Sequence, residues 1–338
     1  MAKVIVTGTA GFIGFHVCKE LLSTGNQVVG LDSFNDYYPV AIKDRRDGVL
    51  GRCSNYASKK MDVFNRKDII DLIDSIDPDV VCHLAAQAGV RHSITHPFDY
   101  LDSNVVGFLN VLEGCRRARK KPRLVYASSS SVYGGIKELP FSEEMEVNTP
   151  ISLYAASKKS NELMAHCYSH LYDMQCIGLR FFTVYGPFGR PDMMMWIFAE
   201  AISEGRPIKV FNNGKMRRSF SYIDDIVEGV EAAIFSKELG KYEVFNLGND
   251  QCNELMYVVS LLEKELDRKA EIEYLPLQPG DIPAAWADVS LAREKLGFKP
   301  ETTSIEVGIK SFVDWFKENP DLVKQVSEWR KSKKMNTQ

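Results

Sequence analysis

At 338 residues the chain has room for about two domains of roughly 150 residues each. Apolar residues make up 45% and charged residues 26%, with 42 Lys and Arg against 45 Asp and Glu for a net charge of −3. That balance fits a soluble globular protein and excludes a polybasic field for nucleic acid or an anionic membrane surface. No apolar run reaches the roughly 18 residues a transmembrane helix needs. Cys18, Cys53, Cys82, Cys115, Cys167, Cys176 and Cys252 are odd in number and nowhere spaced Cys-x-x-Cys. Neither a disulfide framework nor a metal site is expected, and a reducing cytoplasm fits best.

The chain opens on an apolar run over 4–7 with no charged leader ahead of it, which speaks against a signal peptide. Further strands are predicted over 27–31, 80–84, 123–128 and 176–181, alternating with helices over 12–23, 67–75, 98–118 and 153–171. This rhythm reads as βαβ units, an α/β fold with a Rossmann-type doubly wound parallel sheet. In the first helix Phe12, Ile13, Val17, Leu21 and Leu22 share a face that should pack on the sheet. Beyond Pro187 the elements shorten: strands at 208–211, 244–247 and 272–274, helices from Ile223 and Glu254, then terminal helices. We divide the chain into residues 1–187, to which some later segments return, and a smaller α/β domain over 188–338. The basic end, Arg330-Lys-Ser-Lys-Lys, reads as a frayed, solvated tail.

Gly8-Thr-Ala-Gly11-Phe-Ile-Gly14 lies between the first strand and the first helix. There Gly8 suits the tight turn, Gly11 the approach of a pyrophosphate, and Gly14 close helix–strand packing, with the helix N-terminus facing the anion. Asp32 closes the second strand. A carboxylate there accepts ribose hydroxyls and repels a 2′-phosphate, so NAD is favoured over NADP. Tyr154 and Lys158 stand i, i+4 on one helical face, a spacing expected to bring an ammonium near the phenol and lower its pKa. Upstream, Ser128-Ser-Ser-Ser-Val-Tyr-Gly134 sets hydroxyl donors at the carboxyl end of a strand, where open α/β folds bind ligands.

With these motifs the chain resembles the extended short-chain dehydrogenase/reductase superfamily and, within it, nucleotide-sugar 4-epimerases. The resemblance implies a catalytic triad of Ser129, Tyr154 and Lys158. It implies NAD contacts from Gly8, Gly11, Phe12, Ile13, Gly14, Asp32, the adenine-side pair Asp62 and Val63, Leu84, Ala85 and Ala86, with Tyr154 and Lys158 serving there too. Three stretches look specifically like UDP-glucuronate 4-epimerase: Asp36-Tyr-Tyr-Pro-Val-Ala-Ile-Lys43, His83-Leu-Ala-Ala-Gln-Ala-Gly-Val-Arg91 and Arg180-Phe-Phe-Thr-Val-Tyr-Gly-Pro-Phe-Gly-Arg-Pro-Asp-Met193. By that resemblance Gln87, Ser129, Ser130, Thr183 and Arg190 face the sugar, Arg218 the diphosphate and Asp281 the uridine ribose. The family also implies a homodimer pairing through the two long helices.

The chain departs from the family at Ser129 where threonine is common, Ser219 for Asp, Phe188 for Trp, and a small Ala285 at a gatekeeper position. The expected activity is NAD-dependent 4-epimerisation of UDP-glucuronate to UDP-galacturonate. The alternatives are a UDP-glucose/UDP-galactose or UDP-N-acetylhexosamine epimerase, a decarboxylase or dehydratase, and a non-catalytic nucleotide-sensing module. Lyases of this superfamily carry an acid just before Val-Tyr-Gly, where this chain has Ser130 and Ser131.

Overall fold

The structure, a computed structural model, describes residues 1–277 and 282–335. Its centre is a seven-stranded sheet in the spatial order Tyr56–Lys60, Gln27–Asp32, Lys3–Thr7, Val80–His83, Arg123–Ser129, Cys176–Phe181 and Tyr242–Leu247. Every neighbouring pair is parallel. The strand order reverses between Lys3–Thr7 and Val80–His83, and such a switch point opens a crevice at the carboxyl ends of the strands. Side chains alternate between the two faces: Val4 and Val6 join one core, Ile5 the other. Helices Phe12–Ser23 and Ile223–Phe235 cover the first face; Arg66–Ile76, Gly107–Arg117 and Leu153–Tyr172 cover the second. Burial on both faces explains why the central strands are continuous apolar runs.

Differences from the sequence expectation include three in the sheet-building part of the chain. The edge strand Tyr56–Lys60 exposes four of its five residues, so it carries no apolar signal. Helix Val40–Leu50 turns Lys43 and Arg46 inward, which blurs its periodicity. The helix expected over 98–118 is broken by a π-helical turn at Leu101–Val106. There the buried Asn104 donates to the Gln87 carbonyl and to Ser157 Oγ, each at 3.0 Å, and its own carbonyl accepts from Asn161 Nδ2 at 2.6 Å. A widened turn frees a backbone acceptor for such a bond.

Beyond Phe181 the chain adds the parallel pair Thr183–Tyr185 with Phe220–Tyr222, and a three-stranded unit around Arg217–Arg218. Helix Leu255–Leu266 packs on Met194–Glu204 and on Ile305–Glu318, which in turn contacts Pro320–Met335; Met194–Glu204 contributes to the wall of the crevice. Strand Tyr242–Leu247 returns to the central sheet beside Cys176–Phe181.

One buried ion pair locks helix Leu153–Tyr172 to the sheet. Arg180 donates to both oxygens of Glu162, at 2.8 and 2.9 Å, and Ser128 Oγ donates to the same carboxylate at 2.7 Å. Burial alone would raise the Glu162 pKa, but Arg180 outweighs it and keeps the carboxyl below its usual range. Arg180 also donates to Tyr133 Oη at 3.0 Å, which in turn donates to Asn246. Glu162→Ala leaves the guanidinium without its counter-charge, so we expect a loss of about 3–5 kcal/mol. Thermal melting of the variant measures it, and an unchanged midpoint would show that the pair is dispensable.

Candidate active site

The turn after the first strand is forced into shape by the lack of side chains. Gly8 has φ +77°, and a Cβ there would lie 2.8 Å from the Ala85 nitrogen. A Cβ on Gly14 would collide with the Gly8 carbonyl oxygen, and one on Gly11 would sit 2.8 Å from that same oxygen. The restriction on Gly11 therefore comes first from the turn itself, an addition to the ligand argument made from sequence. Helix Phe12–Ser23 begins at Gly11 with no side-chain cap, leaving first-turn N–H groups for an anion.

At the end of the second strand, Asp32 accepts one backbone N–H on each oxygen, from Ala10 at 3.1 Å and Phe34 at 2.9 Å. Lone pairs remain for ribose hydroxyls. Lys43, not identified from sequence, lies buried nearby and donates to Asn35 at 2.7 Å, its pKa pushed down to about 8 by burial against the pull of Asp32. Asp62 caps its own loop through the Phe64 N–H at 2.9 Å, and buried Val63 packs against Gly107. Leu84, Ala85 and Ala86 follow the fourth strand, with the Ala85 N–H bonded to Thr7 Oγ1 at 3.1 Å. Gly8, Gly11, Gly14, Asp32, Lys43, Asp62, Val63, Leu84, Ala85 and Ala86, with Phe12 and Ile13, line one cavity of about 1050 Å³. An uncapped glycine turn for a pyrophosphate and a carboxylate for a ribose diol fit NAD.

Ser129, Ser130, Tyr154 and Lys158 line the same cavity. Ser129 ends its strand and caps a short helical turn, accepting from the Ser131 N–H at 3.2 Å. Tyr154 and Ser129 face each other in the cavity, close enough for the serine hydroxyl to act on the phenol's proton affinity. Lys158 Nζ donates to the Ala127 carbonyl at 2.9 Å. The expected lowering of the phenol's pKa by Lys158 is not what this geometry gives. Burial dominates and raises the Tyr154 pKa, opposed by the Ser129 hydroxyl and by the charge of Arg190. Burial also pushes Lys158 down to about 7.

Thr183 opens its short strand and, with Arg190, Arg218 and Gln87, lines the same cavity. Asn104 holds the Gln87 backbone, accepting its N–H at 2.8 Å. The charge of Arg190 is not free. Its Nε donates to Asp192 Oδ1 at 3.0 Å, a second N–H reaches Oδ2, and Tyr37 Oη donates to Oδ2 at 3.2 Å. Burial works against the Arg190 charge, but Asp192 outweighs it and holds the guanidinium protonated. Asp192 and Tyr37 both lay inside quoted motifs, yet only the folded loop reveals their pairing. Arg218 donates to the Ile282 carbonyl at 2.6 Å. Asp281 lies outside the described residues. The basic end is a helix to residue 335 rather than a frayed tail, and Arg330 on it also lines the cavity.

The model of the NAD dependent epimerase/dehydratase family matches residues 4–248. The chain is 42% identical to the UDP-glucuronate 4-epimerase of Thermodesulfobacterium geofontis, covering 96% of this chain and 99% of that one. It is 46% identical to Protein CapI of Staphylococcus aureus, over 94% of this chain and 98% of the relative. Among solved structures it resembles UDP-glucuronic acid 4-epimerase from Bacillus cereus in complex with UDP-glucuronic acid and NAD. That match has a TM-score of 0.87 at 35% identity, over 94% of this chain and 99% of that one.

The buried Lys158 amine has a stability consequence. Its folded pKa of about 7 lies below the 10.5 of a free lysine. Below about pH 7 both folded and unfolded chains hold the proton, and the cost of burying it is fully felt. Between those two values the unfolded chain binds the extra proton, so the cost shrinks as pH rises. Nucleotide-free Lys158→Met should therefore melt above the parent protein at about pH 6, with the gap narrowing by about pH 9.5. Melting scans across pH test this; a gap that is absent or widens with pH contradicts it.

Proposed function

The chain belongs to the NAD dependent epimerase/dehydratase family, and on that premise we propose that it interconverts UDP-glucuronate and UDP-galacturonate by 4-epimerisation. The observation that carries this reading is one cavity lined by Ser129, Tyr154 and Lys158 together with a cation at Arg190, with no acid in the run 128–131. When bound, NAD supplies a hydride acceptor that takes the C4 hydrogen and gives it back, so there is no net redox change. Tyr154 receives the proton of the sugar 4-hydroxyl and gives it back to the same oxygen once the turned sugar has been reduced at the other face of C4. Ser129 offers its hydroxyl to that oxygen and steadies it. Lys158, fixed on the Ala127 carbonyl, stands on the same helical face as Tyr154.

Between the two transfers the 4-keto sugar has to turn over about its diphosphate. A uronate oxidised at C4 is a β-keto acid that loses carbon dioxide readily, so its carboxylate has to be held. The hydroxyls of Ser129, Ser130 and Thr183 and the charge of Arg190 are the fixed donors for that task, and fixed donors need no reorganisation during the step. Gly8, Gly11, Phe12, Ile13, Gly14, Asp32, Asp62, Val63, Leu84, Ala85 and Ala86 hold NAD, while Gln87, Arg218 and Asp281 serve the UDP-sugar. Residues 1–187 with strand Tyr242–Leu247 make the NAD-binding unit, and the later segments make the UDP-sugar unit. The N-acetylhexosamine alternative rested on the small Ala285. That residue sits in register with Arg218 and is not among the described residues lining the cavity, which weakens that alternative.

The same reading includes a homodimer. Ile94, Phe98 and Leu101, on the successive short elements His92–Thr95, Pro97–Tyr100 and Leu101–Val106, and Leu163 and Leu171 on helix Leu153–Tyr172 leave large apolar side chains in solvent, as an unfilled interface does. All seven cysteines are free thiols, which suits the cytoplasm. No helix among the described residues is long and apolar enough to cross a membrane.

Two substitutions separate the roles. Tyr154→Phe should cut turnover at least about 100-fold while UDP binding by calorimetry is retained; near-parental turnover would overturn the mechanism. Thr183→Ala should raise the UDP-glucuronate KM or release a decarboxylated 4-keto pentose. Nuclear magnetic resonance of the reaction mixture reads both products, and an unchanged KM with no pentose would remove Thr183 from the carboxylate site.

A further inference from the structure

The C-terminal helix Pro320–Met335 reaches the wall of the active-site cavity through one residue, Arg330. Leu322 and Val326 bury the helix's apolar side, and Ser327 Oγ donates to Glu204 at 2.8 Å. The helix is therefore anchored where Arg330 departs from it. Arg330 then makes two bonds from one nitrogen, to Glu200 Oε2 and to the Pro191 carbonyl, both at 3.0 Å. Glu200 is almost wholly buried on helix Met194–Glu204, and its other oxygen accepts from Arg206 at 3.0 Å.

Pro191 lies between Arg190 and Asp192, the two residues that form the ion pair in the cavity. Its carbonyl belongs to the peptide unit that carries the Asp192 nitrogen. A peptide unit is planar, so holding that oxygen orients the plane and the Cα of Asp192 with it. That plane sets where the Asp192 Cα stands, the base from which its carboxylate reaches the Arg190 guanidinium. A chain of contacts thus runs from the C-terminal helix through Arg330, the Pro191 carbonyl and Asp192 to Arg190.

We propose that Arg330 is a positioning residue for the acidic-sugar subsite, holding the 190–192 segment so that Arg190 meets the substrate carboxylate. This rests on the reading that the substrate is a UDP-uronate and that Arg190 attends its carboxylate. Arg330 acts through the loop and touches no reacting atom. Its loss should then weaken the hold on an acidic sugar and spare a neutral one, whereas a merely structural role would weaken both alike.

The test is Arg330→Lys, which keeps a positive charge but ends one bond short of the nitrogen that holds both Glu200 and the Pro191 carbonyl. We expect the KM for UDP-glucuronate to rise about tenfold with kcat within about threefold. The inhibition constant of UDP-glucose, a neutral competitor, should stay within about twofold. Arg330→Met should show the same split more strongly; if it does not fold, the lysine variant decides alone. A parallel loss for both ligands, or no loss for either, overturns the proposal. The parent enzyme separates the two levels. If it turns over UDP-glucuronate no better than neutral UDP-hexoses, the substrate reading fails; if it prefers UDP-glucuronate and Arg330→Lys is unchanged, only the role of Arg330 fails.

Discussion

The buried ion pair between Glu162 and Arg180 is the constraint on which the site's geometry depends. Tyr154, Lys158 and Glu162 stand at i, i+4 and i+8, so they share one face of helix Leu153–Tyr172. Clamping Glu162 to a strand fixes the rotation of that helix about its axis, and with it the direction in which Tyr154 and Lys158 point. Ser128 binds the same carboxylate from the strand whose next residue is Ser129. One buried carboxylate therefore sets the register between the phenol and the serine hydroxyl. A pair this deep is weak evidence for net stability, since its desolvation opposes the attraction, but it strongly specifies one arrangement.

The cavity holds its charges in tension. Burial drives the Tyr154 pKa up and the Lys158 pKa down, the opposite of what proton abstraction by a phenolate needs. Ser129 and Arg190 oppose the first of these shifts. Arg190 can do so at a distance because Asp192 and Tyr37 hold its guanidinium in place while leaving it charged. The same arginine lines the cavity and sets a field at the phenol. Preorganised charge of this kind is where enzymes gain most of their transition-state stabilisation.

Much of this was legible in the sequence where local chemistry and burial agree. The apolar runs marked the central strands because both faces of the sheet are covered. The glycine turn was readable because no Cβ fits there, and Tyr154 with Lys158 because helical spacing is regular. Strand Tyr56–Lys60 was hidden because an exposed edge needs no apolar pattern. Helix Val40–Leu50 was hidden because it turns Lys43 and Arg46 inward, where Arg46 donates to the carbonyls of Ala10 and Phe188, both at 2.6 Å. The turn at Asn104 and the contacts of Asp192 and Arg330 join residues far apart in the chain, which no periodicity encodes. For Arg330 the surrounding lysines pointed to a solvated tail, and only packing of Leu322 and Val326 brings it to the cavity.

The central claim is that configuration at C4 is inverted by hydride removal and return within one active site. Conversion of UDP-glucuronate carrying deuterium at C4 tests it most directly. The account predicts UDP-galacturonate with the deuterium retained at C4 and none appearing in solvent. Product with protium at C4, formed in ordinary water without loss of carbon dioxide, would contradict it.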